Sequence, residues 1–204
     1  MRRASLAQGE GGTITHDLRS CGTKSLASIG RREALCAALG AAGVLSYAGR
    51  TAVAAAREMP PLPEDEGFMR LALEEAAKGD FPFGAVIVRA GEVLAKGRNL
   101  GKTNNDPTAH GEMVAIRDFL AKRPAAELAG TTLYASGEPC PMCMSATLWC
   151  GIARVVFAAS IEKLAKKIGQ IMLTSRKVAH AAPFADIAIT GGVLSWEALA
   201  LFDK

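Results

Sequence analysis

The sequence predicts an α/β fold, a three-layer α/β/α sandwich built on one mixed, five-stranded sheet. Two observations carry that expectation: a β-hairpin signal around residue 90, and alternating helical and strand periods after it, whose apolar faces must be buried on both sides of a sheet. The first element is a helix. From Glu64 to Lys78, Phe68, Leu71, Ala72, Leu73, Ala76 and Ala77 recur at helical spacing among acids, and Gly79-Asp80 ends the run. Phe83–Arg89 reads as a strand that Ala90-Gly91 turns into a second at Val93–Asn99. A polar loop through Asn104-Asn105-Asp106-Pro107 leads to Thr108, which can cap a helix running through Glu112, Val114, Ile116, Phe119 and Leu120 until Pro124. Thr131–Ala135 is a third strand, and Pro141–Trp149 a helix with proline in its first turn. Arg154–Ala159 is a fourth strand, followed by a lysine-flanked helix over Ile161–Ile171 with Leu164, Ile168 and Ile171 inward. Ile187–Thr190 is the fifth strand and Ser195–Phe202 the closing helix.

A chain of 204 residues holds one domain of ordinary size with its own core. Its formal charge of +4 is unevenly placed. Of 24 basic and 20 acidic residues, seven and three fall within residues 1–56, which leaves 17 of each in the rest. The neutral remainder offers no electrostatic footprint for a polyphosphate, so nucleic acid is not an expected partner.

Residues 1–56 read as an N-terminal export signal, cleaved on maturation, with 57–63 as a proline-rich linker and 64–204 as the working domain. Arg31-Arg32 precedes a short Ala/Gly-rich apolar run from Ala34 to Leu45, and Ala52–Ala56 supplies small residues for a signal peptidase. Paired arginines before so weak a run resemble a twin-arginine signal, which predicts a periplasmic protein. A transit peptide, or a start at Met59 giving a cytoplasmic protein, are the alternatives. Downstream of the leader, no stretch has the length and apolarity of a membrane span. Cys21 and Cys36 lie in the leader, and the remaining trio of Cys140, Cys143 and Cys150 is no disulfide framework.

Chemistry concentrates in Thr108-Ala-His110-Gly-Glu112 and Glu138-Pro-Cys140-Pro-Met-Cys143. A helix start at the first motif would aim the imidazole of His110 at a metal with the Glu112 carboxylate beside it. One helical turn at the second puts both sulfurs on one face. Three protein ligands leave the fourth tetrahedral position of zinc open, as catalytic sites require. The competing readings are a redox-active Cys140/Cys143 pair, or half of a structural zinc site completed by His180 or Cys150. Cys150 otherwise fits a helix-end core, Lys163, Lys166 and Lys167 a solvated face, and Trp149 and Trp196 core or dimer contacts.

The order H-x-E…P-C-x-x-C, together with Asn99 and Asp106-Pro-Thr-Ala-His110, resembles the cytidine deaminase-like superfamily. Within it, the branch of guanine and guanosine deaminases and tRNA-specific adenosine deaminases is the most similar, from about Glu66 to the C-terminus. The resemblance implies a cytidine deaminase-like sheet and one Zn2+ per subunit on His110, Cys140 and Cys143, with Glu112 as proton shuttle. It implies a substrate site in which Asn99 hydrogen-bonds the base, Phe83, Gly84 and Ala85 line the pocket, and the backbone around Glu138 meets the leaving amine. It also implies a homodimer and a small purine or pyrimidine substrate. Two departures stand out: Gly111 replaces the usual alanine of H-x-E, and Lys166–Ile171 lacks the acidic pair with which guanine deaminases hold their substrate. The expected function is zinc-dependent hydrolytic deamination of a nucleobase, nucleoside or related N-heterocycle. The alternatives are a tRNA-specific adenosine deaminase and a zinc module whose chemistry has lapsed.

Overall fold

The computed structural model describes residues 56–203. The expected leader other than Ala56, with Cys21 and Cys36, lies outside the described residues.

Strands β1 (Ala56–Glu58), β2 (Gly84–Arg89), β3 (Glu92–Arg98), β4 (Thr132–Gly137), β5 (Arg154–Ala159) and β6 (Ile187–Gly191) form one mixed sheet in the order β1-β6-β5-β4-β2-β3. The hairpin partners β2 and β3 are antiparallel, as are β2 and β4, while β4, β5, β6 and β1 run parallel. Ala90 and Gly91 both take positive φ, 48° and 81°, the twist a two-residue hairpin turn needs. The sheet has six strands where five were expected. The extra one, β1, falls where the leader was expected to end and the linker to begin, and pairs with β6 from Ala56↔Ile187 to Glu58↔Ile189. Three residues are too few to display an alternating pattern, and main-chain pairing alone recruits them to the edge.

Alternation along the strands builds the layers. Ala85, Ile87, Leu133 and Val155 face α2 (Gly111–Leu120) and α3 (Pro141–Trp149), where Phe119, Met144 and Leu148 pack on them. Val86, Val88, Tyr134 and Val156 face α1 (Asp65–Ala76) and its Met69 and Ala72, and Ala198 of α6 (Ser195–Ala200). Under α1 lies a buried ion pair. Arg154 donates to both Asp65 oxygens at 2.8 and 2.7 Å and to Thr190 Oγ1 at 2.9 Å. Burial would raise the Asp65 carboxyl, but the bonds from Arg154, the Leu62 N–H and the Tyr134 hydroxyl outweigh it and leave it lowered.

Three local expectations need correction. The helix expected over Ile161–Ile171 is a single turn, α4 (Ile161–Leu164), capped by Ser160, and Ile171 is exposed rather than inward. Gly169 disfavours helix by about 1 kcal/mol, and the Thr174 hydroxyl caps an unanticipated helix, α5 (Ser175–His180). The cap of α2 is His110, because Thr108 is held by Asp106, which accepts from its N–H at 2.8 Å and its hydroxyl at 2.6 Å. Trp149 and Trp196 are exposed, at 77% and 83%, so neither belongs to the core. Cys150 is half-buried at the end of α3, packed against the core as expected.

A candidate metal centre and active site

Two helix starts meet at the carboxyl end of β4. His110 is the extended cap of α2, which places Glu112 in that helix's first turn. Cys140 is the cap of α3, Pro141 fixes its first helical position, and Cys143 sits one turn on. The Nδ1 of His110 lies 3.7 Å from the Cys140 sulfur and 3.6 Å from that of Cys143, and the sulfurs are 3.7 Å apart. Tetrahedral zinc, with bonds of about 2.3 Å to sulfur and about 2.0–2.1 Å to nitrogen, would separate two sulfurs by about 3.8 Å and sulfur from nitrogen by about 3.6 Å. The donor triangle therefore has the size and the chemistry of a three-ligand zinc site. Neither Cys150 nor His180 joins this group among the described residues, which leaves no fourth protein ligand for a structural site.

The trio shares protons that a cation must displace. Contact with Cys143, then with His110, pulls the Cys140 thiol down to about 4. The same sulfur contact, followed by burial, pushes the Cys143 thiol up, and Cys140 raises the imidazole of His110. Glu112 is 6% exposed. Burial pushes its carboxyl up to about 7, the Cys140 charge adds to this, and its own N–H and His110 pull the other way. A carboxyl near neutrality can both take and return a proton.

A cavity of about 260 Å³ opens on these groups, lined by Phe81, Phe83, Asn99 and the Ile168–Ile171 segment as well as by His110, Glu112, Glu138 and Cys140. Asn99, 5% exposed, accepts from the Gly101 N–H at 3.1 Å through Oδ1. That bond orients the amide and leaves its NH2 group to donate into the cavity. Gly84 and Ala85, expected in the lining, lie behind Phe83 within β2. A Cβ on Gly84 would come within 2.3 Å of the Ala72 carbonyl, so glycine is needed there for α1 to pack. The Glu138 carboxylate is anchored through both oxygens: it accepts from the Ile161 N–H at 2.9 Å and the Ser175 N–H at 2.8 Å. Ser175 in turn donates its hydroxyl to the Pro139 carbonyl at 3.0 Å. Phe81 was not anticipated, and Ile168 and Gln170 were marked only through their stretch, Lys166–Ile171, where the resemblance expects substrate contacts, and not as individual lining residues. Phe81 had a signal in the aromatic pair of Phe81-Pro82-Phe83, but the other two sit on a segment that reads as helix.

The sequence from residue 62 to 159 matches the family of the cytidine and deoxycytidylate deaminase zinc-binding region. Guanine deaminase from Bacillus subtilis is 43% identical over 99 residues, 46% of this chain, which spans 64% of that relative. The tRNA-specific adenosine deaminase of Aquifex aeolicus is 40% identical over 102 residues, covering 48% of this chain and 68% of its own length. In three dimensions, guanine deaminase from Nitrosomonas europaea superposes with a TM-score of 0.60 at 26% identity, over 72% of this chain and 85% of that one. The chain belongs to the zinc-binding cytidine and deoxycytidylate deaminase family, whose members named here are hydrolases of C–N bonds.

Proposed function

We propose that this protein hydrolytically deaminates a free nucleobase, nucleoside or related N-heterocycle, using one Zn2+ on His110, Cys140 and Cys143. The observation that carries the reading is the donor triangle with Glu112 beside it on one small cavity. His110, Cys140 and Cys143 would hold the zinc, which would supply a water acidified toward neutrality as the nucleophile. Phe81 and Phe83 present apolar faces to a flat ring, and the Asn99 NH2 donates to a ring acceptor. Glu112 would take one proton from the attacking water and pass it to a ring nitrogen, then take the second from the hydroxyl now on the carbon and give it to the exocyclic amine, so that the C–N bond breaks, a carbonyl forms and ammonia leaves. The zinc-loaded full chain should release ammonia from at least one member of a panel of purines, pyrimidines and their nucleosides. Silence across that panel contradicts the proposal.

The likeness to tRNA-specific adenosine deaminases supports a second reading, in which the substrate is an adenosine within RNA. It needs a basic approach to the site, but no Lys or Arg lines the cavity. Inosine formation in tRNA, without activity on free bases, would favour it.

A homodimer is part of the proposal. Trp149, 77% exposed, stacks on Phe184, 56% exposed, with ring centroids 4.7 Å apart, and Met172 and Leu173 expose further apolar surface. Light scattering should give twice the chain mass, and Trp149→Glu should halve it. Export completes the proposal: replacing Arg31 and Arg32 by Lys should hold the protein in the cytoplasm, and unchanged export would remove the twin-arginine reading.

A further inference from the structure

One polar side chain on the cavity has no role in the chemistry above. Gln170 lies in the irregular segment between α4 and α5, is half-buried, and lines the same space as Asn99 and Glu112. No described group hydrogen-bonds its carboxamide. The segment that carries it is tied at both ends. Ile168 N–H donates to the Leu164 carbonyl at 2.9 Å on one side. On the other, Ser175 is held by Glu138 and Pro139, next to the metal-binding turn. Gln170 is thus built into the site rather than swinging beside it.

The surroundings narrow what it can meet. Apart from the candidate metal ligands, Glu112 and the engaged Glu138, the lining is uncharged: two phenylalanines, two isoleucines, Gly169 and the two carboxamides. A carboxamide offers one donor and one acceptor side by side. That pair matches a lactam edge, or a ring nitrogen beside an amine, at two points. A carboxylate in the same place could only accept. The bond from the Gly101 N–H to the Asn99 oxygen orients the amide, so that its NH2 is the donor Asn99 offers. No Lys or Arg is among the lining residues; Lys102, whose Nζ lies over the Phe81 ring at 4.7 Å from its centroid, is the cation next to that wall.

We infer that Gln170, placed with Asn99 on this cavity, is a specificity-determining residue that selects an uncharged, unphosphorylated N-heterocycle by a two-point hydrogen bond to its mixed donor–acceptor edge. This rests on the deaminase reading and names the substrate class of that site. The test is calorimetric binding to the zinc-loaded full chain carrying Glu112→Gln, which holds substrate without turning it over. The probes are guanine against 2-aminopurine, and cytosine against 4-aminopyrimidine. Each pair shares its amino-bearing carbon and differs by one carbonyl. Guanosine against guanosine monophosphate tests the exclusion of phosphate.

With Gln170 present, one carbonyl-bearing ring should bind better than its partner. Gln170→Leu and the isosteric Gln170→Glu should each cut that preference about tenfold, the worth of one buried hydrogen bond. Zinc stoichiometry and far-ultraviolet circular dichroism should stay as in the parent. The monophosphate should bind at least tenfold more weakly than guanosine. An unchanged ratio in both variants, or equal binding of the monophosphate, overturns the inference alone if the unmutated chain still releases ammonia. No binding by any ring overturns it together with the deaminase reading.

Discussion

At the scale of single residues, Glu112 is the group whose role can be isolated. Its carboxyl is buried in the first turn of α2 and pushed up to about 7, so it is poised to trade protons near neutrality. Glu112→Gln should keep zinc at one per chain and lower kcat by about 100-fold or more. Activity within tenfold of the parent would remove Glu112 from the chemistry. Zinc binding itself should depend on pH. His110 and Cys143 are both raised, so binding expels their protons, and affinity should fall about tenfold per pH unit for each proton released as pH drops from 8 to 6. A chelator competition series measures this, and a flat profile contradicts it. These four residues were legible in the sequence because ligand chemistry needs particular side chains at particular spacing. Gln170 was not: glutamine has no fixed role, and its place on the cavity depends on where α4 breaks off.

At the scale of elements, close packing explains a residue that looks like a weakness in the sequence. Gly111 opens α2, where alanine would favour helix by about 1 kcal/mol. A Cβ there would meet the Phe83 carbonyl oxygen at 2.9 Å and the Gly84 Cα at 3.0 Å, both backbone atoms that cannot easily move. Overpacking of this kind costs about 1–3 kcal/mol and outweighs the helix gain. Gly111→Ala should therefore lower the urea midpoint; a raised midpoint would show that the strand yields. Five of the six strands and the three long helices were readable from periodicity, because each buries a continuous face. The Ile161–Ile171 stretch has helical spacing too, yet only one turn forms, where Gly169 disfavours continuation and Thr174 offers a competing cap, while Glu138 ties the main-chain N–H groups of Ile161 and Ser175 together. That clamp crosses from one loop to two others, and local pattern holds no trace of it.

At the scale of the whole molecule, the Asp65–Arg154 pair joins α1 to the centre of the sheet, and it too was invisible as two ordinary charges far apart in sequence. Asp65→Ala leaves the guanidinium buried without its partner and should cost about 3–5 kcal/mol, read from denaturant unfolding. A loss below about 1 kcal/mol would mean that solvent reaches the site. The pH dependence has a fixed sign. The folded carboxyl is lowered from 3.8, so its contribution is fully present above that value and is lost as pH falls through the folded pKa. The unfolding free energy of the parent should drop below about pH 4 more steeply than that of Asp65→Asn. Fold class and the succession of five strands along the chain followed from alternation. The edge strand β1 did not, because it is recruited from a stretch with no pattern of its own.

The central claim, that an imidazole and two thiolates hold zinc with one position left for chemistry, is tested most directly by X-ray absorption at the zinc edge of the purified full-length chain. The account predicts one zinc per chain with two sulfur neighbours at about 2.3 Å and two lighter neighbours at about 2.0–2.1 Å. A shell of three or four sulfurs, or a folded protein that binds no zinc, would contradict it.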